Sequence, residues 1–286
     1  ASVLKQAGNG NHPPESNLRA LDGNNKKEER DIPMLTHLKH FLGLALLCFV
    51  FQAQADIQRL QTLHELRSEG YVAATYILLD NNLFERVREP ANREAYNAAM
   101  RNMEQLMHSI GNPMDVRMPY DEFQRLVRQL ESQDGEEAHF NLATVNQIMI
   151  AHAAVDYAIA REYEKNREGA PEKLLTLHQQ SLDTNQILLL YQNNMFSSVG
   201  IYFVEPSEGL FEAMNSRIVE RAGQLRQLFP DQAQTFNQID KQYSFIQPRL
   251  LNYHSGWVPS IATFYLLRNS SALNDLSRQE ATNAAS

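Results

Sequence analysis

Apolar side chains recur every three or four residues along most of the chain after about residue 56. In one segment Leu175, Leu182, Leu189 and Phe196 are spaced by seven. This spacing places them on one face of an α-helix. Prolines and glycines fall between helix-length segments, where they favour helix ends. The pattern predicts helices over residues 57–88, 91–110, 120–133, 138–167, 172–196, 207–228, 231–246 and 249–268.

Amphipathic helices must bury their apolar faces on one another, so the pattern predicts an all-α protein made of one or two helical bundles. We expect two halves, residues 56–168 and residues 169–286. The second half ends in a polar segment, which we expect to fray from about residue 270.

Short similarities between the halves suggest an internal duplication. Leu63-His64 resembles Leu177-His178, and Glu89-Pro90 resembles Glu205-Pro206. In both cases the offset between the two similar segments is close to half the length of the chain after residue 56. A duplication would give two four-helix units; chance similarity between helical segments is the alternative.

The segment 34–55 has the three parts of a secretory signal peptide. Residues 34–40 carry basic side chains, residues 41–51 are apolar, and Ala53-Gln54-Ala55 fits the small-residue cleavage site. We expect cleavage after Ala55 and a periplasmic or secreted product. Residues 1–33 are polar and precede this signal, so we predict an upstream, unstructured segment there.

Composition removes several classes of function. The 286-residue chain has a formal net charge of -8, which argues against nucleic acid and against anionic membranes as general partners. A single cysteine excludes a disulfide framework. The apolar run of residues 41–51 is too short to span a bilayer. We therefore expect no stable membrane insertion after signal cleavage.

Two polar sets interrupt the apolar faces of the first and fifth predicted helices. His64, Arg67 and Tyr71 share one stripe, and His178 and Asn185 are seven residues apart. An arginine on an inner face can bind a carboxylate with two hydrogen bonds. These five residues form the predicted ligand site. The alternatives are an arginine paired with a nearby glutamate and an ordinary polar edge of a helix.

A weaker candidate pair is His152 and Asp156, one helical turn apart. Such a pair could bind a metal or move a proton. We predict neither a metal nor another cofactor, because a buried histidine is the commoner role. Gly-x-Ser-x-Gly and a phosphate-binding glycine-rich loop are both absent from the sequence.

The general plan is similar to periplasmic helical-bundle sensor domains and to imelysin-like proteins. The Gly-x-His-x-x-Glu motif of the latter is absent, so the resemblance assigns no site residues. We expect an exported, soluble, non-enzymatic protein that binds a small molecule, such as an organic anion, or a protein partner. The alternative is a metal-dependent or hydrolytic enzyme centred on His152 and Asp156.

Overall fold

A computed structural model describes residues 33–82, 89–133, 141–197, 209–253 and 256–284, with side chains in the first helix from residue 54 onward. These residues form eight α-helices and a short 3-10 turn, and the described ranges contain no strand. The helices are α1 Pro33–Asp80, α2 Pro90–Ser109, α3 Met114–Glu131, α4 Leu142–Asn166, α5 Glu172–Ser197, α6 Leu210–Leu228, α7 Ala233–Leu251 and α8 Pro259–Ala284. The predicted all-α helical bundle is confirmed.

Helices α1 and α5 run parallel to one another in the interior. His178 contacts Gln61, and Asn185 contacts Ser68 seven residues further along both helices. Both pairs are separated by 117 residues in the sequence. A constant separation means that the two helices run in the same direction. The two polar sets predicted from the sequence therefore face each other across one interface.

Helices α4 and α8 run antiparallel to this central pair. Gln58 of α1 contacts Ala281 of α8, whereas His64 contacts the earlier residue Asn274. On α4, Asp156 contacts Arg67 of α1, whereas the earlier residue His152 packs against the later residue Tyr71. Helix α1 is thereby enclosed by α4, α5 and α8.

Apolar packing joins the two predicted halves into one body. Helices α1–α4 share a large core that α5 extends with Leu174, Leu182, Leu189 and Phe196. Other residues of α5, including Leu188, pack with α6, α7 and α8. The described residues from Leu47 onward accordingly form one compact unit. The duplication itself stays a prediction.

The structure corrects the expectation of a frayed end after about residue 270. Helix α8 continues to Ala284 and buries Leu273, Leu276 and Ala281. Its polar residue Ser277 is also interior and accepts a hydrogen bond from the Gln61 amide at 3.0 Å. The segment is amphipathic: Ser277 faces the polar side of α1, whereas Asp275 and Arg278 face solvent.

Two prolines that were expected to end helices lie inside them. Pro119 lies in the second turn of α3, and Pro248 lies near the end of α7. Each removes one intrahelical N–H donor, because neither lies in the first turn, where that donor would have no intrahelical acceptor. Within the described part of the chain, no helix combines the length and apolar character needed to cross a bilayer.

Candidate functional site

Helix α5 carries an unusual number of polar side chains into the interior. They are His178, Gln180, Ser181, Asp183, Thr184, Asn185, Gln192 and Asn193. Gln61, His64 and Ser68 of α1 are buried opposite them. Buried polar groups cost free energy unless they are hydrogen-bonded. The partners of each group therefore show whether it is held by the protein or remains available to a ligand.

His64 and His178 stack on each other at the centre of this interface. Their ring centroids are 4.0 Å apart and the planes differ by 10°. His178 Nε2 donates to the Gln61 Oε1 atom at 2.7 Å, and the Tyr163 hydroxyl donates to His178 Nδ1 at 2.9 Å. His64 Nε2 donates to Asn274 Oδ1 at 2.9 Å. Both rings are thus held as neutral imidazoles.

Burial keeps these histidines uncharged at neutral pH. It lowers the pKa of His64 from 6.5 to about 4, against the opposing effect of the Asn274 hydrogen bond. Burial also lowers the pKa of His178 well below 6.5, and His64 beside it adds to that effect. Neither ring supplies positive charge to a ligand, so an anion would depend on arginine.

Arg67 forms a two-pronged ion pair across the interior with Asp156 of α4. Arg67 Nε lies 2.7 Å from Oδ1, and Nη2 lies 3.1 Å from Oδ2. The Tyr71 hydroxyl donates to the same Oδ2 at 3.1 Å and accepts from the Gln186 amide at 3.2 Å. Asp156, not Glu65 or a neighbouring glutamate, is the partner of Arg67.

Asn185 is part of a separate set of hydrogen bonds within the protein. Its amide donates to Ser68 Oγ at 3.1 Å, and Asn274 donates to the same oxygen at 2.8 Å. Ser181 Oγ in turn donates to Asn274 Oδ1 at 2.7 Å. Asn185 lines neither of the cavities described below, so the geometry gives it a structural role in joining α5 to α1.

The first of two neighbouring cavities, here called the arginine cavity, has a volume of about 400 Å³ and lies among α1, α4, α5 and α6. Three of the five predicted ligand residues line it: His64, Arg67 and His178. Arg167 and Arg221 also line it, and sequence analysis missed both. The sequence does not show that α4 and α6 lie beside α5, so neither arginine could be assigned to the site from spacing.

The second cavity, here called the leucine cavity, has a volume of about 240 Å³. Its polar residues are Tyr71, His152, Asp156 and Gln186, and its apolar wall includes Leu189, Leu190, Leu210 and Met214. The Arg67–Asp156 ion pair lies between the two cavities, because Arg67 lines the first and Asp156 lines the second.

The pair His152 and Asp156 is not arranged as a metal centre. Asp156 already accepts three hydrogen bonds from Arg67 and Tyr71. Among the described residues, no three His, Cys, Asp or Glu side chains are grouped so that they could hold a metal ion. His152 packs edge-on against Tyr71, with ring centroids 4.8 Å apart.

Comparison of the chain with protein-family models, with curated proteins and with solved structures finds no match. The proposed function therefore rests on the geometry of the described residues.

Replacing His152 tests whether its imidazole is only a buried polar group. His152 Nε2 is buried with no hydrogen-bond partner among the described residues. We expect His152→Leu to raise the free energy of unfolding by about 1 kcal/mol, because an unsatisfied buried polar atom is removed. Urea denaturation measures this difference. If His152→Leu is instead less stable than the wild type, the imidazole makes a stabilising contact that leucine cannot make.

Proposed function

We propose that the protein is an exported, non-enzymatic binding protein that takes a small organic anion into the arginine cavity. The observation that carries this proposal is the convergence of His64, Arg67 and His178 on one cavity with two further arginines. The proposed ligand residues are therefore His64, Arg67, His178, Arg167 and Arg221, whereas the predicted residues Tyr71 and Asn185 do not line this cavity.

Arg67 is positioned to bind a carboxylate even though it is paired. A guanidinium has five N–H donors, and Asp156 takes two of them, through Nε and Nη2. The remaining three donors are not used by Asp156. The ion pair also fixes the direction of the guanidinium, which lowers the entropy cost of binding a ligand.

The other two arginines of the cavity are held in a similar way. Arg221 Nη1 donates to Asp183 Oδ2 at 2.6 Å, and Arg167 lies 3.0 Å from Glu164. Asp183 is almost completely buried, whereas Glu164 is exposed. Arg221 is therefore fixed from the protein interior, and Arg167 is able to turn toward a ligand at the solvent side.

The size and composition of the cavity suit a small molecule. Ligand sites commonly occupy about 300–1,000 Å³ and combine apolar walls with a few polar groups. Leu175 and Leu182 supply apolar contacts, and the neutral His64–His178 stack supplies a flat aromatic surface. Glu164 and Glu172 also line the cavity, so the charged group of an anion with a short apolar or planar body would lie toward the arginines.

Export is supported by the position of the predicted cleavage site. Ala55 and Asp56 are exposed, and the first buried side chain among the described residues is Leu60. Cleavage after Ala55 would therefore leave the described core of the bundle intact.

The enzyme alternative draws less support from the geometry. A metal-dependent or proton-transferring centre needs a carboxylate that is free to act, and Arg67 and Tyr71 both hold Asp156.

Ligand-dependent thermal unfolding of the full chain tests the proposal. We expect mono- or dicarboxylates to raise Tm, because a ligand that binds the folded state stabilises it by mass action, by about 2.7 kcal/mol at a hundredfold excess over Kd. Matched neutral amides should have no effect. We expect Arg67→Lys, which keeps the charge but loses the planar fork, to weaken binding by about tenfold.

Arg125→Gln is the matched control, because Arg125 forms an exposed ion pair with Glu122 on α3, away from the cavity. Carboxylate binding should be the same in this variant as in the wild type. Equal weakening in both variants, or no stabilisation by any carboxylate, would contradict the proposed site and ligand class.

A further inference from the structure

Acidic residues are absent from the part of the α7–α8 hairpin between Asp240 and Asp275. The 34 residues from Lys241 to Asn274 contain no Asp or Glu, which is the longest such stretch in the sequence. The same stretch contains three Lys or Arg residues and the only tryptophan, Trp257. In a chain with a net charge of -8, this is a locally cationic surface.

Exposed aromatic side chains lie together in the middle of this hairpin. Phe245 of α7 and Phe264 of α8 are 61% and 59% exposed. Both contact the ring of Tyr265, at centroid distances of 5.1 and 5.2 Å. Ile261, one turn before Tyr265, is 46% exposed. Clustered exposed aromatic rings on a folded domain indicate a contact surface.

Basic side chains lie on both sides of the aromatic cluster. Lys241 and Arg249 are exposed one turn before and one turn after Phe245 on α7, and Arg268 is exposed one turn after Phe264 on α8. The nearest acidic residues in the sequence are Asp240 and Asp275, at the two ends of the stretch, and each is paired with an arginine of its own. The surface thus joins apolar rings to three exposed basic side chains.

We propose that this surface, formed by Lys241, Phe245, Arg249, Ile261, Phe264 and Arg268, binds the headgroup region of an anionic lipid bilayer. Basic residues around exposed aromatic rings match a membrane interface, where anionic phosphates lie above the acyl chains. The net charge of the whole chain argues against such contact, but attraction at a bilayer is set by charges within a Debye length of it. This binding is peripheral and independent of the proposed anion site.

The shape of the surface favours a bilayer over an extended acidic peptide. The exposed rings lie on the outer faces of two antiparallel helices, and Phe245 and Phe264 line neither the arginine cavity nor the leucine cavity. A peptide gains its affinity from a groove, whereas a bilayer accepts protruding side chains.

Fluorescence of Trp257 in the full chain gives a local test. Trp257 lies in the connection between α7 and α8 and is the single tryptophan of the chain, so its fluorescence reports lipid contact at this end of the hairpin. Vesicles of equal phosphatidylcholine and phosphatidylglycerol that contain brominated phosphatidylcholine should quench this fluorescence. Brominated vesicles of phosphatidylcholine alone should not, and about 0.5 M NaCl should reverse the quenching by screening the charges.

Paired variants distinguish binding by this surface from non-specific adsorption of the protein to vesicles. We expect Phe245→Ser with Phe264→Ser to weaken binding by about tenfold or more, because two interfacial side chains are lost. The control is Met114→Ser with Met118→Ser, which removes side chains on α3 that are 67% and 66% exposed. Equal quenching by neutral vesicles, no quenching by either, or equal effects of both variant pairs would overturn the proposal. The proposal would also be overturned if the wild type formed a dimer, the phenylalanine variant did not, and vesicles did not quench Trp257.

Discussion

Lowering the pH from 6.5 to 4 is expected to remove most of the stability of the fold. The pKa values of His64 and His152 fall from 6.5 to about 4 in the folded protein, chiefly because both rings are buried. In this range the unfolded chain binds protons that the folded chain does not, so stability falls as the pH falls. Each histidine contributes a slope of about 1.4 kcal/mol per pH unit.

For these two residues the loss between pH 6.5 and pH 4 is about 5 kcal/mol, since the slope is smaller near each end of the range, and this is comparable with the total stability of a marginally stable domain. His178, whose pKa burial also lowers, adds to the loss. Glu69 opposes it, because burial raises the pKa of that carboxyl and the folded state then gains a proton.

Urea denaturation at a series of pH values measures this dependence. We expect His64→Gln to reduce the slope by about 1.4 kcal/mol per pH unit, since one of the buried rings is removed. The control is His108→Gln, which changes an exposed histidine on α2. Stability that stays constant between pH 6.5 and pH 4 would show that the buried rings are not held neutral.

Asp156→Ala is expected to lower the free energy of unfolding by about 3–5 kcal/mol. The side chains of Arg67 and Asp156 are only 13% and 17% exposed, so removing the carboxylate leaves a guanidinium charge in the interior. It also removes the acceptor of the Tyr71 hydroxyl. Chemical denaturation measures the difference between the variant and the wild type.

The double variant Arg67→Met with Asp156→Leu distinguishes a lost ion pair from lost packing. We expect it to recover most of the stability, because an apolar pair removes both charges together. Glu122→Ala, which breaks the exposed pair with Arg125, should cost less than about 1 kcal/mol. If the double variant were as unstable as Asp156→Ala, the unpaired charge would not be the cause.

The sequence was sufficient to predict the helical class and the residues of the central interface. Apolar periodicity fixes which side of a helix is buried, so polar residues such as His64, Arg67 and His178 stand out where they interrupt that side. Their positions on α1 and α5 followed from spacing alone. The structure then placed three of them on one cavity.

The partners of those residues could not be predicted in the same way. Asp156 lies 89 residues from Arg67, and nothing in its own helix indicates which face α4 presents to α1. Arg221 joins the cavity only because α6 packs against α5. Such pairings depend on helix order and rotation in the bundle, which periodicity leaves undetermined.

The end of α8 was mispredicted for a related reason. Asn274 and Ser277 suggest a solvated segment when hydrophobicity alone is considered. In the structure both contact polar groups of α1, through His64 and Gln61. Polar residues are usually exposed, but where the interior is polar they can be buried, so composition alone mispredicts their exposure.

The contacts between α1 and α8 also limit when the bundle can close as the chain is synthesised. Gln58 and Ala281, which hydrogen-bond to each other, are separated by 223 residues. When α1 leaves the exit tunnel, the helix that satisfies Gln58, Gln61 and His64 has not yet been synthesised. For most of translation the polar side of α1 must remain in water, and this nascent chain becomes a closed bundle only when its last helix arrives.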